Sequence, residues 1–150
     1  MAALTKIFSG MEKGPEAINS NFTALSVQRT AGFNVTGNGL AGDQLDKSKS
    51  NISFFRVGNI VLVFVDVYVT REKSGNWFTV LNSLPTGFHY HPIRADSNAA
   101  TQMMNMVWPA VVTNCWIGPD QKMLFNTNDS GAEQRLTGTI VYHTDDDFPA

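Results

Sequence analysis

His89 and His91, a lone Cys115, the tryptophans at 77, 108 and 116 and the run Asp145-Asp146-Asp147 are the side chains here with the most chemistry to offer. On an extended strand His89 and His91 face the same way, about 6.5–7 Å apart. Two imidazoles in that geometry begin a metal site, but no cysteine or further histidine stands at ligand spacing from them. The pair therefore reads as a polar edge able to contact a sugar, and no metal or other cofactor is expected. The three aspartates lack the alternating ligands and the glycine of a calcium loop and read as a solvated tail. Cys115 lies inside Val111-Val112-Thr113-Asn114-Cys115-Trp116-Ile117, a strand pattern in which a thiol packs as a small apolar group. As the only cysteine it also excludes a disulfide framework.

The aromatic and polar residues of the second half form the best candidate binding set. Saccharides present C–H faces that stack on indoles and hydroxyls that need short polar partners. Trp108, Asn114, Trp116 and Asp120 supply that combination: Asn114 and Trp116 share a strand face, and Asp120 follows in the next turn. His89 and His91 are the next candidates. The competing assignment for each indole is the hydrophobic core.

Catalytic signatures are missing. G-x-S-x-G, H-E-x-x-H and the P-loop pattern do not occur. Gly37-Asn38-Gly39-Leu40-Ala41-Gly42 matches G-x-G-x-x-G in form, yet the residues that follow, Asp43 to Ser50, carry no apolar helical stripe and cannot complete a dinucleotide-binding unit. The expectation is a non-enzymatic protein. A glycan-processing enzyme built on two carboxylates is the remaining catalytic alternative, since such a pair meets only in the fold.

With 150 residues, 43% of them hydrophobic, the chain can bury a core as one domain plus an appendage. A net charge of −2 with scattered basic residues supplies no field for nucleic acid. The apolar run Ile60 to Val65 is too short to span a membrane, and residues 1–11 lack a signal-peptide core, so synthesis in the cytoplasm is expected. The Asn-x-Ser/Thr triplets at Asn21, Asn34, Asn51 and Asn128 then carry no glycan.

Three zones position these residues. Pro15 fits a first helical position, Glu16 places charge in the first turn, and Ile18, Phe22 and Leu25 make one apolar stripe on a helix from about Pro15 to Val27. At 1.5 Å per residue it is roughly 20 Å long, too short to stand alone in water. Residues 31–50, with glycines at 32, 37, 39 and 42, read as a neck or linker. From residue 51 the pattern is strands and turns. Asn59 to Thr70 sets valines 61, 63, 65, 67 and 69 on one face and Ile60, Leu62, Phe64, Asp66, Tyr68 and Thr70 on the other. Ile52 to Val57 precedes it across Gly58-Asn59, a two-residue hairpin signal. Further strands are expected at Trp77–Leu81, Gln102–Trp108, Ala110–Ile117, Lys122–Asn126 and Leu136–His143. Asp66, inside a valine-rich strand, is either paired structurally, the favoured reading, or opens onto a polar cavity that would accept a ligand hydroxyl. The fold class is mainly β, a short N-terminal helix followed by an antiparallel barrel or sandwich head.

The opening also resembles a known family. Gly10, Met11, Gly14, Glu16, Ile18 and Asn19 follow the pattern Gly-Met-x-x-Gly-x-Glu-x-Ile-Asn, over roughly the first 25 residues, of receptor-binding and baseplate proteins from tailed phages of lactic acid bacteria. Leu84-Pro85-Thr86-Gly87-Phe88 with Pro92, and Leu136 to Tyr142 before Asp145, are similar to stretches of their heads. The resemblance implies a trimer: residues 1–30 as a virion anchor carrying Ile18, Phe22 and Leu25, 31–50 as neck, and 51–150 as a β-barrel head that touches host cell-wall saccharide. Other tail proteins would be its partners and the virion its location. The alternative is a structural tail or capsid-decoration protein without its own ligand.

Overall fold

The structure, a computed structural model, describes residues 16, 30–70, 77–92, 94, 97–105, 112–126 and 134–149. The expected N-terminal helix with Ile18, Phe22 and Leu25 lies outside them, as does Trp108.

The alternating valines decide the architecture. Valines 61, 63, 65, 67 and 69 are between 0% and 4% exposed, all on one face of a strand, Ile60–Val69. Numbered along the chain, the strands are β1 (Thr30–Thr36), β2 (Asn51–Val57), β3 (Ile60–Val69), β4 (Trp77–Leu81), β5 (Ala99–Asn105), β6 (Val112–Ile117), β7 (Met123–Asn126) and β8 (Gln134–His143). Gly58 takes φ +57° between β2 and β3, the left-handed conformation that a two-residue hairpin turn requires, and Val57 pairs with Ile60 across it.

The hydrogen-bonded order is β1-β2-β3-β8-β5-β6-β7-β4, antiparallel throughout. It divides into two antiparallel sheets, β1-β2-β3-β8 and β5-β6-β7-β4. Only Met104↔Thr137 and Asn105↔Leu136 register across the join, where β8 is already paired with β3 along its length. The inner faces of both sheets supply one core cluster, from Ile52, Phe54 and Ile140 on one side to Ile117, Met123 and Phe125 on the other.

Two expectations are corrected. The sheets do not close into a barrel: among the described residues β1 and β4 are the edges of the strand order. The β4 ladder shifts register between Thr79 and Leu81, and the carbonyl of Val80 there accepts the N–H of Ala41, a loop residue. Residues 31–50 are not a neck. β1 pairs with β2 over seven residues, Leu40 and Leu45 are buried, and Leu45 bridges to Val69. The glycines and asparagines that suggested a linker are interspersed with Val35, Leu40 and Leu45, which are spaced widely enough to escape a periodicity test yet fill the core. Beyond β4 the expected strand Gln102–Trp108 begins three residues earlier, at Ala99.

Among the described residues one charged side chain is buried. Arg56, on the inner face of β2, is only 2% exposed. Its guanidinium donates to the carbonyls of Gly58, Gly87, Asp146 and Asp147, and it lies 4.8 Å from the centroid of the Phe148 ring. A buried cation needs hydrogen-bond partners, and four backbone oxygens from three separate segments accept from four of its five N–H groups. Arg56→Met leaves those oxygens without their donor and is expected to cost about 3 kcal/mol or more, lowering the melting temperature by roughly 6–12 °C. Arg56→Lys recovers little of it, because one ammonium cannot span the three segments. Thermal melts of the two variants beside the parent protein check this.

Candidate functional site

β6 alternates cleanly: Thr113, Cys115 and Ile117 point into the core, while Asn114 is exposed and Trp116 half-buried on the outer face. Register extends that face across the second sheet. Gln102 pairs with Asn114, Asn114 with Asn126 and Asn126 with Trp77, setting three amides in a row that ends at an indole. In the next row Ala100, Trp116, Leu124 and Thr79 align. The rings of Trp77 and Trp116 meet edge to face, with centroids 5.3 Å apart and planes at 77°. Trp77 is 41% exposed.

Asp120 borders this face. It lies in the β6–β7 turn, where its Oδ2 is 3.2 Å from Lys122 Nζ and its Oδ1 accepts the Lys122 N–H. Gly118 lets it approach: a Cβ there would stand 2.7 Å from Asp120 Oδ1 and 3.1 Å from Trp116 Nε1. Trp116 Nε1 and Asn126 Oδ1 are buried and have no hydrogen-bond partner among the described residues. Such groups are rare in folded proteins.

Of the candidates named from sequence, Asn114, Trp116 and Asp120 are thus brought together. His89 and His91 are not part of that group. They belong to the loop between β4 and β5, not to a strand, and both turn to the C-terminal segment. His89 Nδ1 is 2.9 Å from Asp146 Oδ2, and His91 Nε2 is 3.1 Å from Asp146 Oδ1. His143 joins from the end of β8, 3.4 Å from Asp145 Oδ1. Gln121 holds the loop by pairing its amide with both the N–H and the C=O of Tyr90. Burial pushes the Asp146 carboxyl up, but the His89 N–H, the His91 ring, the charge of His89 and the Gly87 N–H outweigh it and hold it below the ordinary value. Beside this cluster is a cavity of about 410 Å³ lined by Tyr90, His91, Arg94, Asn98, Val141 and His143 among others.

Sequence reasoning missed Gln102, Asn126 and His143. Trp77 was visible but unplaced. Their signal is cross-strand register and long-range approach, neither of which a local pattern carries. Asp66, flagged as needing a partner, has one: Arg135 Nε and Nη2 donate to its two carboxylate oxygens at 2.8 and 2.7 Å, and those hydrogen bonds hold its pKa below the usual value against burial. Among the described residues no group of three or more His, Cys, Asp or Glu is arranged to hold a metal ion. No helix among them is long and apolar enough to cross a membrane. No protein-family model and no curated protein matches this chain.

Chemically, the outer face of the second sheet can stack a ring on an indole and exchange hydrogen bonds with a row of amides. Cys115 can do neither: it is fully buried, and burial pushes its thiol well above its ordinary pKa. It should resist thiol reagents in the native protein and react stoichiometrically after denaturation, as mass spectrometry of labelled samples would record.

Proposed function

We propose that this chain is a non-enzymatic receptor-binding protein of a phage tail or baseplate, which attaches the virion to saccharide on the host cell wall. The observation that carries the saccharide part is the exposed Trp77 beside Trp116 at the end of the Gln102–Asn114–Asn126 row. A neutral sugar needs this combination of an apolar ring platform and short uncharged hydrogen-bonding groups within one ring's reach. The phage context rests on the resemblance of residues 10–19. The proposed residues are Trp77, Asn114, Trp116 and Asp120, with Gln102 and Asn126 added by register.

The other sheet supports the second part of the reading, assembly. Its outer face carries Phe55, Ile60, Phe64 and Val141, each more than 40% exposed, with Leu62 between them in register. Contiguous exposed apolar side chains of this kind mark an interface. We assign the face to contacts between three copies of this chain, with residues 1–30 as the virion anchor. Trimerisation multiplies individually weak sugar sites into avid binding. The same face favours the second reading, a structural tail or decoration protein with no ligand of its own.

Two measurements test this. Trp77→Ala is expected to weaken binding to host cell-wall oligosaccharide by about 1–3 kcal/mol, as for other aromatic stacking contacts, while moving the melting temperature little because the ring is exposed. Retained affinity with a normal melt would remove Trp77 from the site, and an absence of binding by the parent protein to any host glycan would favour the structural reading. Light scattering at micromolar concentration should give three chains; a stable monomer contradicts the assembly.

A further inference from the structure

The two edges of the strand order are built differently. β4 is short, its ladder shifts register between Thr79 and Leu81, and the Val80 carbonyl there accepts the Ala41 N–H. Shortness, irregularity and a covering loop are devices by which proteins keep an edge from recruiting another strand. β1 has none of them. It runs seven residues, Thr30-Ala31-Gly32-Phe33-Asn34-Val35-Thr36, without a charge or a proline, and pairs with β2 in unbroken register from Thr30↔Val57 to Thr36↔Asn51. Five of its seven residues are exposed, and among the described residues no strand lies on its other side. A strand turns its backbone N–H and C=O groups alternately to either side, so one side of β1 is open to a further ladder.

Phe33 marks the core as unfinished at this edge. Its partner in register is Phe54, which is 2% exposed, so Phe33 belongs to the inner face together with Ala31 and Val35. It rests on Phe88, ring centroids 6.3 Å apart, yet is 49% exposed. We propose that β1 is a pairing site for β1 of a second copy of this chain. Two copies meet edge to edge, antiparallel about Phe33, and join their first sheets into one continuous sheet.

The residue order of the strand selects that partner. Laid antiparallel on itself about Phe33, Thr30 meets Thr36, Ala31 meets Val35, Gly32 meets Asn34 and Phe33 meets Phe33. Threonine pairs and aromatic pairs are favourable directly across an antiparallel ladder, and no charge meets a like charge because the strand carries none. The two Phe33 rings, half-open in one copy, cover each other. The contact is isologous, with its two-fold axis at Phe33, so it saturates at a pair.

It is also narrow. Seven residues at about 3.3 Å each give a seam roughly 23 Å long and one strand wide. A stable interface takes about 800 Å² from each partner, so a seam of this width holds weakly between free molecules and forms where copies are crowded. Edge pairing is independent of the receptor-binding reading. The seam lies in the plane of the sheet and leaves uncovered the outer face assigned above to contacts among three copies. A three-fold axis cannot bring like strands together in pairs, so where both contacts form, the seam ties one assembly to the next.

Disulfide trapping of the full-length protein at submillimolar concentration tests the register. Gly32 and Asn34 are exposed, a Cβ at Gly32 meets nothing closer than Phe54 O at 3.7 Å, and the buried Cys115 does not compete. Gly32→Cys and Asn34→Cys, mixed and oxidised, should give the mixed dimer about tenfold over either like dimer by intact mass, because residue 32 of one copy faces residue 34 of the other. Adding Phe33→Lys to both sets like charges face to face and should return the products to the statistical mixture, with the melt showing the fold intact. A statistical mixture in the first experiment, an excess of either like dimer, or a mixed-dimer excess that Phe33→Lys leaves unchanged overturns the proposal. Absence of any dimer, the mark of an edge covered by another segment or a different partner, overturns it as well. If Phe33→Lys does not fold, the first mixture alone decides.

Discussion

A buried cation that binds four backbone carbonyls organises this protein. Arg56 reaches from the inner face of β2 to carbonyls of the β2–β3 turn, the β4–β5 loop and the C-terminal segment. Each of those segments is irregular, and each would otherwise bring unsatisfied carbonyls to the end of a hydrophobic core. One planar, permanently charged donor satisfies four of them at once, a task for which its five N–H groups are suited and a lysine is not. The arrangement also fixes where Gly87 and Asp146 meet, and so where His89 and His91 find their partner.

The two sheets share a core but face solvent with different chemistry. Strand alternation makes this possible: β3 and β6 each commit one face to the interior and leave the other free for a separate task. On the first sheet the free face is apolar: Phe55 and Val141 flank Leu62 in register, and Phe64 follows two residues along β3. On the second it is a row of amides with an indole pair. A protein that must both assemble and adhere can keep the two demands on opposite layers of one sandwich, so that changes in ligand preference leave the assembly face intact. That division is the physical basis of the proposed receptor-binding role.

Much of the fold was legible because it is local. The valine alternation from 61 to 69, the Gly58-Asn59 hairpin and the buried thiol of Cys115 each follow from residues within one strand or turn. Asp66 announced its need for a partner, though nothing nearby named Arg135, 69 residues away. What remained illegible is long-range or dilute. β1 carries few apolar side chains and is recognisable as a strand only by its pairing with β2. That β1 and β4 stand at opposite ends of the strand order is a property of the whole topology, which no local pattern carries. His91 and Asp146 are separated by 55 positions, and the C-terminal aspartates that read as a solvated tail are anchored by Arg56 and the histidines. The candidate site was half visible: Asn114 and Trp116 share a face by simple alternation, but Trp77, Gln102 and Asn126 join them only through the sheet.

The central claim, that the amide-and-indole face of the second sheet takes a saccharide, is tested most directly by following the three indole N–H resonances while host cell-wall oligosaccharide is added. The account predicts saturable shifts of the Trp77 and Trp116 indoles, together with the side-chain amides of Gln102, Asn114 and Asn126. Shifts confined to residues lining the cavity at His91 and His143, or to the apolar face at Phe55 and Phe64, would contradict it.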